Sequence, residues 1–259
     1  MSENHWEKGF KKKFFEAIFS FEARIASYWA AKAHKRLFWA QWNIAPSPEW
    51  FNHNIDLYYQ WKYLNINSFW VERGVFNTVA LKGKNVLELS SGDGFNAKHF
   101  YSPLSESVIA CDFDPTAIKH SKKYNSSDNV EFVLADIRTS MPEGRFENII
   151  WDAALEHFTE EEIEILMPNI KSRLTSDGIL SGYTIVEKNH GHDGKMLHQH
   201  EYEFKNKEDL ERFFKPHFKN INVFELLNSG RHNLYFWVSD GEIPFDDTWK
   251  FSTKSKNNN

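Results

Sequence analysis

The sequence predicts an α/β protein: a doubly wound, mostly parallel seven-stranded sheet with a terminal β-hairpin, preceded by an aromatic-rich helical cap. Three observations predict it. Five short apolar runs recur between residues 85 and 186, with helical segments between them. Four of these runs end in small or acidic residues where the chain turns. Two further runs near the C-terminus are joined by a short polar turn.

The first run, Asn85-Val86-Leu87-Glu88-Leu89, leads into serines and glycines. The second, Ser107 to Cys111, stops at Asp112, and the third, Val130 to Leu134, stops before Asp136. The fourth, Phe146 to Trp151, stops at Asp152, and the fifth spans Gly178 to Val186. Continuous apolar strands alternating with helices read as a parallel sheet covered on both faces. The spacing predicts helices over about 95–101, 115–124 and 159–174, the last opening on Glu160-Glu161-Glu162, which suits the positive end of a helix dipole. Strands over Asn222–Leu227 and Asn233–Ser239, turning at Asn228-Ser229-Gly230-Arg231, complete a terminal hairpin.

Upstream, Phe14, Ile18, Phe21, Ile25 and Tyr28 recur at helical spacing in a segment where residues 1–40 hold eight basic side chains against four acidic ones. This helix is expected to pack on the body or on a second subunit. The alternative is a helix lying on a membrane surface. Residues 29–80 are dense in Trp and Tyr, broken by Pro46 and Pro48, and most of these rings are expected in the core. The expected organisation is a cap over 1–80, a core over 81–240 and a tail over 241–259.

Composition excludes several classes. Aromatics make up 16% of the 259 residues, which rules out disorder for the bulk of the chain. The net charge of −5 argues against nucleic acid as a partner. A single cysteine, Cys111, allows no internal disulfide and no thiolate zinc cluster. No stretch approaches the length of a membrane span and the charged N-terminus has no signal core, so a cytoplasmic protein is expected.

In a doubly wound sheet, ligands bind beyond the carboxyl ends of the strands. That rule selects Ser90 to Gly94, Asp112, Asp136 and Asp152. Glycines let the backbone approach a ligand, Asp112 stands where a carboxylate can accept both hydroxyls of a ribose, and Asp136 could accept from an adenine amino group. A dehydrogenase uses a similar glycine loop and acidic second strand, so the loop and Asp112 alone do not fix the chemistry.

On these residues the chain resembles the class I S-adenosylmethionine-dependent methyltransferases over about residues 80–240. Val86 to Gly94 is similar to their first motif, Val108 to Asp114 to their acidic second strand, Ala135-Asp136-Ile137 to their third motif, and Phe146 to His157 to their fourth strand and its turn. The resemblance implies a Rossmann-like core and S-adenosyl-L-methionine as cofactor, with S-adenosyl-L-homocysteine as product. It implies that Glu88, Ser90, Gly92 and Gly94 surround the methionine part, that Asp112 holds the ribose with Phe113 on the adenine, that Asp136 and Ile137 frame the base, and that the backbone near Asp152 meets the amino-acid end. Ser90 departs from the family's glycine, and slightly altered packing is expected there.

Candidate catalytic residues are His157, His200, Arg231 and His232. A histidine near neutral pKa is a natural base, and an arginine can hold a carboxylate or phosphate through two parallel hydrogen bonds. His190, His192 and His198 share the loop after the fifth strand. Metal-free transfer is expected, with His198-Gln199-His200 as the conceivable exception. The absence of a Pro-Pro-aromatic step after the fourth strand disfavours DNA amino groups. The expected acceptor is a small or sugar-bearing molecule. Alternatives are a membrane-associated quinone or lipid, or a cofactor-binding subunit without catalysis.

Overall fold

The computed structural model describes residues 10–43, 52–53, 69–186, 200–228 and 231–244. The chain divides into two compact units, one of residues 1–48 and 54–67 and one of residues 49–53 and 68–259.

The first unit contributes helix α1, Phe10–Asn43. The expected helix is present, but the stripe from Phe14 to Tyr28 is mostly exposed rather than core. Trp29 and Trp39 are 58% and 56% exposed, against the expectation that most rings of this region are buried. Apolar residues occupy almost every register of α1, so no single face separates from a polar one. Trp42, Trp50, Tyr58, Tyr59, Trp61, Tyr63 and Trp70 have side chains outside the described residues. None of the described helices is long and apolar enough to cross a membrane.

The second unit begins well before the first strand. Helix α2, Phe69–Val79, lays Phe76 on Trp237 with ring centroids 4.5 Å apart and planes 13° from parallel. The sheet follows with β1 (Asn85–Leu89), β2 (Ser107–Asp112), β3 (Val130–Leu134), β4 (Phe146–Asp152), β5 (Leu174–Ile185), β6 (Asn220–Asn228) and β7 (Arg231–Ser239). Their order is β3-β2-β1-β4-β5-β7-β6. The first five strands pair in parallel and β7 runs antiparallel between β5 and β6. The β6–β7 turn therefore lies at the same end of the sheet as the carboxyl ends of β1 to β5.

Alternation along the strands fills both faces. Leu87, Leu89, Ile149 and Trp151 pack with Ile163, Leu166 and Ile170 of α5 (Glu160–Arg173) and with Phe213 and Phe214 of α6 (Lys207–Phe214). Val86, Val108, Ala110 and Ile150 pack on the other face with Ala97, Tyr101 and Ile118, the last from α3 (Pro115–Tyr124). Asp114 caps α3 by accepting from the Thr116 amide, and Thr159 and Glu162 form a reciprocal capping box on α5.

Two local expectations change. The helix expected over 95–101 contains a π-turn over Ala97–Tyr101 that tightens into a 3₁₀ turn at Ser102–Leu104, where Pro103 has no amide to donate. The fifth strand starts earlier than expected, because Leu174 already pairs with Phe146; the register then skips to Ile179 opposite Asn148, and Gly178 sits in the bulge.

Gly94 has φ +74°, and a Cβ there would lie 2.4 Å from Phe132 Cε1 and 2.8 Å from Ser121 Cβ. Gly83 has nearly the same φ, +72°, with its nearest atom 3.6 Å away. Gly94→Ala is expected to cost about 2–4 kcal/mol, combining overpacking with the left-handed backbone, whereas Gly83→Ala should cost only the ~1–2 kcal/mol of the backbone. Urea unfolding of both variants checks this, and equal losses would mean that the Phe132 contact relaxes freely.

Candidate active site

The carboxyl ends of β1 to β4 enclose a cleft of about 520 Å³. The turn after β1 shapes its floor. Ser90, Gly92 and Gly94 take φ of 55°, 55° and 74°, three left-handed residues within five. Two are glycines, for which this costs little; Ser90 is not, and its backbone carries strain where the resembled family has glycine. Ala153, beyond β4, is likewise left-handed at φ 51°. Both line the cleft.

Asp112 locks this turn to β2. Its Oδ2 accepts from the Gly92 amide at 2.8 Å and its Oδ1 from the Asp114 amide at 2.9 Å. The carboxylate lines the cleft, where its two oxygens are of the kind that accept hydroxyls. Phe113 beside it is 46% exposed and also lines the cleft, as a ring available for stacking.

Glu88 and Asp152 stand on adjacent strands. Asp152 Oδ2 accepts from Arg73 Nε at 2.9 Å and also contacts the Arg73 Nη2, with both side chains about 5% exposed or less. Arg73 comes from α2, and its guanidinium lies 4.9 Å from the Tyr183 ring centroid. Burial alone would lower the Arg73 pKa, but the Asp152 charge and hydrogen bond hold it raised. Asp152 Oδ1 and Glu88 Oε2 are buried and have no hydrogen-bond partner among the described residues. Burial pushes the Glu88 carboxyl well above the usual carboxylate range, reinforced by Asp152, Asp93 and Asp112.

Asp93 is fully buried beside the turn. His53 donates its amide to Asp93 Oδ2 at 2.9 Å, and its Nδ1 lies 2.8 Å from Oδ1. The His53 ring stacks on Phe95, 5.0 Å between centroids and 4° from parallel. Burial raises the Asp93 pKa, yet the charge and hydrogen bonds of His53 outweigh it and hold the group below its ordinary value.

Asp136 has a partner that its sequence position did not reveal. It caps the short helix α4 (Ile137–Ser140), and Arg138 reaches back so that its Nε and Nη2 contact the carboxylate at 2.8–3.1 Å. Asp136, Ile137 and Arg138 all line the cleft, so a planar base would meet a neutralised ion pair there rather than a lone carboxylate.

The expected cofactor residues Glu88, Ser90, Gly92, Asp112, Phe113, Asp136, Ile137 and Asp152 therefore surround one cavity. Gly94 stands behind them, packed against β3. Among the expected catalytic residues, His157 lines the cleft, and the His200 ring lies 5.3 Å from it. His232 is placed elsewhere: it is the second residue of β7 and pairs with Glu225 across the hairpin. Arg231 opens the same strand, but its side chain lies outside the described residues, as do His190, His192 and His198.

His53, Arg73, Asn96, Arg138 and Glu201 also line the cleft and were not among the expected site residues. Arg73 left a trace, as the one basic residue among the apolar positions of α2. His53 left none, since it sits in the aromatic-rich segment.

Residues 86–178 match the family model described as a methyltransferase domain. No curated protein matches the chain in sequence. Among solved structures, a complex of DhpI with SAH superposes at a TM-score of 0.55 with 18% identity, covering 71% of this chain and 90% of that one. A protein from Pyrococcus horikoshii gives 0.54 with 16% identity over 73% and 99% of the two chains. TehB from Haemophilus influenzae gives 0.52 with 17% identity over 70% and 65%. At these identities the likeness is one of fold.

Proposed function

We propose that this chain, whose residues 86–178 match a methyltransferase-domain model, is a class I S-adenosylmethionine-dependent enzyme that transfers a methyl group to a small-molecule or sugar-containing acceptor by in-line displacement. The observation that carries this reading is the pair of buried oxygens Glu88 Oε2 and Asp152 Oδ1, without a hydrogen-bond partner among the described residues, in residues that line the cleft. Buried polar atoms are costly unless a ligand completes them. A cationic donor in the cleft would complete both oxygens and favour ionised Glu88.

The residues fit S-adenosyl-L-methionine, which supplies an electrophilic sulfonium methyl. Asp112 would take the two ribose hydroxyls and Phe113 would cover one face of the base, with Ile137 on its edge. The left-handed turn at Ser90 and Gly92 brings main chain, rather than side chain, against the ligand. Glu88 and Asp152 would face the amino-acid end. Placement is the main catalytic contribution of such a site, and a near-attack geometry supplies about 7–11 kcal/mol. His157 and the Asp93-bound His53 both line the cleft and are the candidate bases for an acceptor that must lose a proton.

The reading is tested by incubating the full chain with methyl-labelled cofactor and a metabolite extract. Label transferred to a small molecule supports it. Cofactor binding without transfer to any acceptor would instead favour a binding subunit, and failure to bind the cofactor would overturn the reading.

Glu88 gives this cofactor pocket a pH signature. Between its ordinary value and its raised folded value, the folded chain holds a proton that the unfolded chain has released, so its contribution to stability falls as pH rises through that window. A cation bound beside Glu88 favours the ionised form. Cofactor binding is therefore expected to release a proton in that window and to tighten as pH rises. Calorimetry in buffers of different ionisation enthalpy should show this release in the native chain and lose it in Glu88→Gln; equal release in both would place the proton elsewhere.

A second reading concerns the acceptor alone. Phe19, Phe21 and Tyr28 of α1 are each about 60% exposed, on a helix that also carries Lys13, Lys32, Lys35 and Arg36. A basic helix with exposed aromatic rings suits an anionic membrane surface and an apolar acceptor such as a quinone or lipid. Co-sedimentation with anionic vesicles, weakened by salt, would support it, and no co-sedimentation at low ionic strength would reject it.

A further inference from the structure

At the mouth of the cleft, the turn after β4 and the segment that starts at residue 200 are tied by their main chains. The amides of Glu201 and Tyr202 both donate to the Glu156 carbonyl, at 2.9 and 3.2 Å. This sets the His200 ring against the His157 ring at 81°. The Glu156 carboxylate comes to the same point from beneath. It is buried, and Thr184 Oγ1, itself fully buried on β5, donates to its Oε2 at 3.0 Å. One ligand atom each from Glu156, His157 and His200 lie within 4.8 Å of one another.

We propose that Glu156, His157 and His200 form a divalent-metal site that holds an oxygen of the methyl acceptor at the mouth of the cleft. The proposal rests on the methyl-transfer reading and departs from the metal-free transfer expected from the sequence. Two imidazoles and one carboxylate are a donor set that takes zinc and leaves open coordination positions. Imidazole donors also favour Co²⁺ or Zn²⁺ over Mg²⁺ or Ca²⁺, which prefer oxygen-only ligands. With bonds of ~2.1 Å, tetrahedral ligand atoms stand about 3.4 Å apart, so the three groups need to close by roughly 1–1.5 Å, which two histidine torsions can supply. Thr184 plays the orienting part that outer-sphere hydrogen bonds play at metal sites.

His157 lines the cleft, so an open coordination position on its side faces the space where the acceptor must lie. This identifies the acceptor chemically as a hydroxylated molecule and the reaction as O-methylation. A metal-bound hydroxyl has a lowered pKa and gives up its proton to solvent. Its oxygen lone pair forms the bond to the methyl carbon as the carbon–sulfur bond breaks, and that pair stays on sulfur, leaving S-adenosyl-L-homocysteine. The site assigns His157 and His200 to ligation rather than to proton transfer.

The test uses the full chain stripped with a chelator, with Zn²⁺ binding followed by equilibrium dialysis and Co²⁺ binding by visible absorption. One Zn²⁺ per chain is expected. His157→Ala and His200→Ala should each weaken it at least about 100-fold, and Thr184→Val, which removes only the orienting hydrogen bond, about 10–100-fold. His120→Ala, on α3, should leave it unchanged. S-adenosyl-L-homocysteine binding, measured alongside, should be unchanged in every variant and reports that each has folded. The proposal is overturned if the native chain binds the product but no zinc, or if the His157→Ala/His200→Ala double variant retains native zinc affinity. If the product fails to bind while zinc binding responds to the variants, the methyl-transfer reading falls and the metal site stands.

Discussion

Arg73→Met is expected to destabilise the chain by about 3–5 kcal/mol, among the largest effects of any single substitution here. Arg73 and Asp152 are both almost completely buried, and Nε donates to Asp152 Oδ2 at 2.9 Å. Removing one member of a buried pair leaves the other charged and desolvated, and that uncompensated charge carries the loss. Replacing both members by apolar groups of similar volume is often close to neutral. The double variant Arg73→Met/Asp152→Leu should therefore recover most of the stability lost in the single one. It should not recover cofactor binding, because Asp152 Oδ1 would be gone from the cleft. Urea unfolding of the three chains, with calorimetry of S-adenosyl-L-homocysteine, separates the two effects. A double variant no more stable than the single one would show that the pair is not energetically coupled.

The pair also shows what could be read from the sequence and what could not. Strand ends were legible because an apolar run fixes its own length: the runs ending at Leu89, Cys111 and Trp151 appear within a residue of the observed strands. Once the order of a doubly wound sheet is assumed, its carboxyl edge follows, and with it Glu88, Asp112, Asp136 and Asp152. Arg73 and His53 were not legible, because they reach the cleft from segments before the first strand, and only tertiary packing brings them there. Arg138 was hidden for a different reason. It lies two residues from Asp136, a spacing that sequence reading assigns to a helix cap, while its guanidinium folds back as a neutralising partner. His232 differs in another way. The two antiparallel strands expected from the sequence are observed, so the residue stands at the expected end of the sheet, yet its ring meets Glu225, diagonally across from its register partner Leu227.

The positive φ of Ser90 and Ala153 marks the same distinction between local and tertiary information. A serine in a glycine position reads as a tolerated change in sequence. In the fold it is a strained residue lining a cleft, with another, Ala153, beyond the adjacent strand β4. Non-glycine residues persist in that region only where surrounding contacts over-determine them. Here the Ser91 amide is held by the Cys111 carbonyl and the Ala153 amide by the Tyr183 carbonyl, both within 2.9 Å. Strain at two neighbouring strand ends that line the cleft fits a backbone set in place before a ligand arrives.

Asp112→Asn should abolish cofactor binding almost as completely as Asp112→Ala, although it preserves shape. Each carboxylate oxygen accepts a main-chain amide, Gly92 on Oδ2 and Asp114 on Oδ1. An asparagine has one oxygen. Whichever way it turns, its NH₂ group faces one of those two amides, donor against donor, so either the glycine turn or the start of α3 loses its anchor. The ribose loses a charged acceptor as well. Hydrogen bonds to charged groups contribute ~1.5–3 kcal/mol each, so losing two of them corresponds to a weakening of about 10²–10⁴-fold. Alanine gives up the same bonds without the repulsion, and the two variants should fall within roughly tenfold of each other. Calorimetry with S-adenosyl-L-homocysteine checks the ranking. An asparagine variant that bound within threefold of the native chain would mean that neither the charge nor the paired amides of Asp112 matter to the ligand, and the ribose would have to be held elsewhere in the cleft.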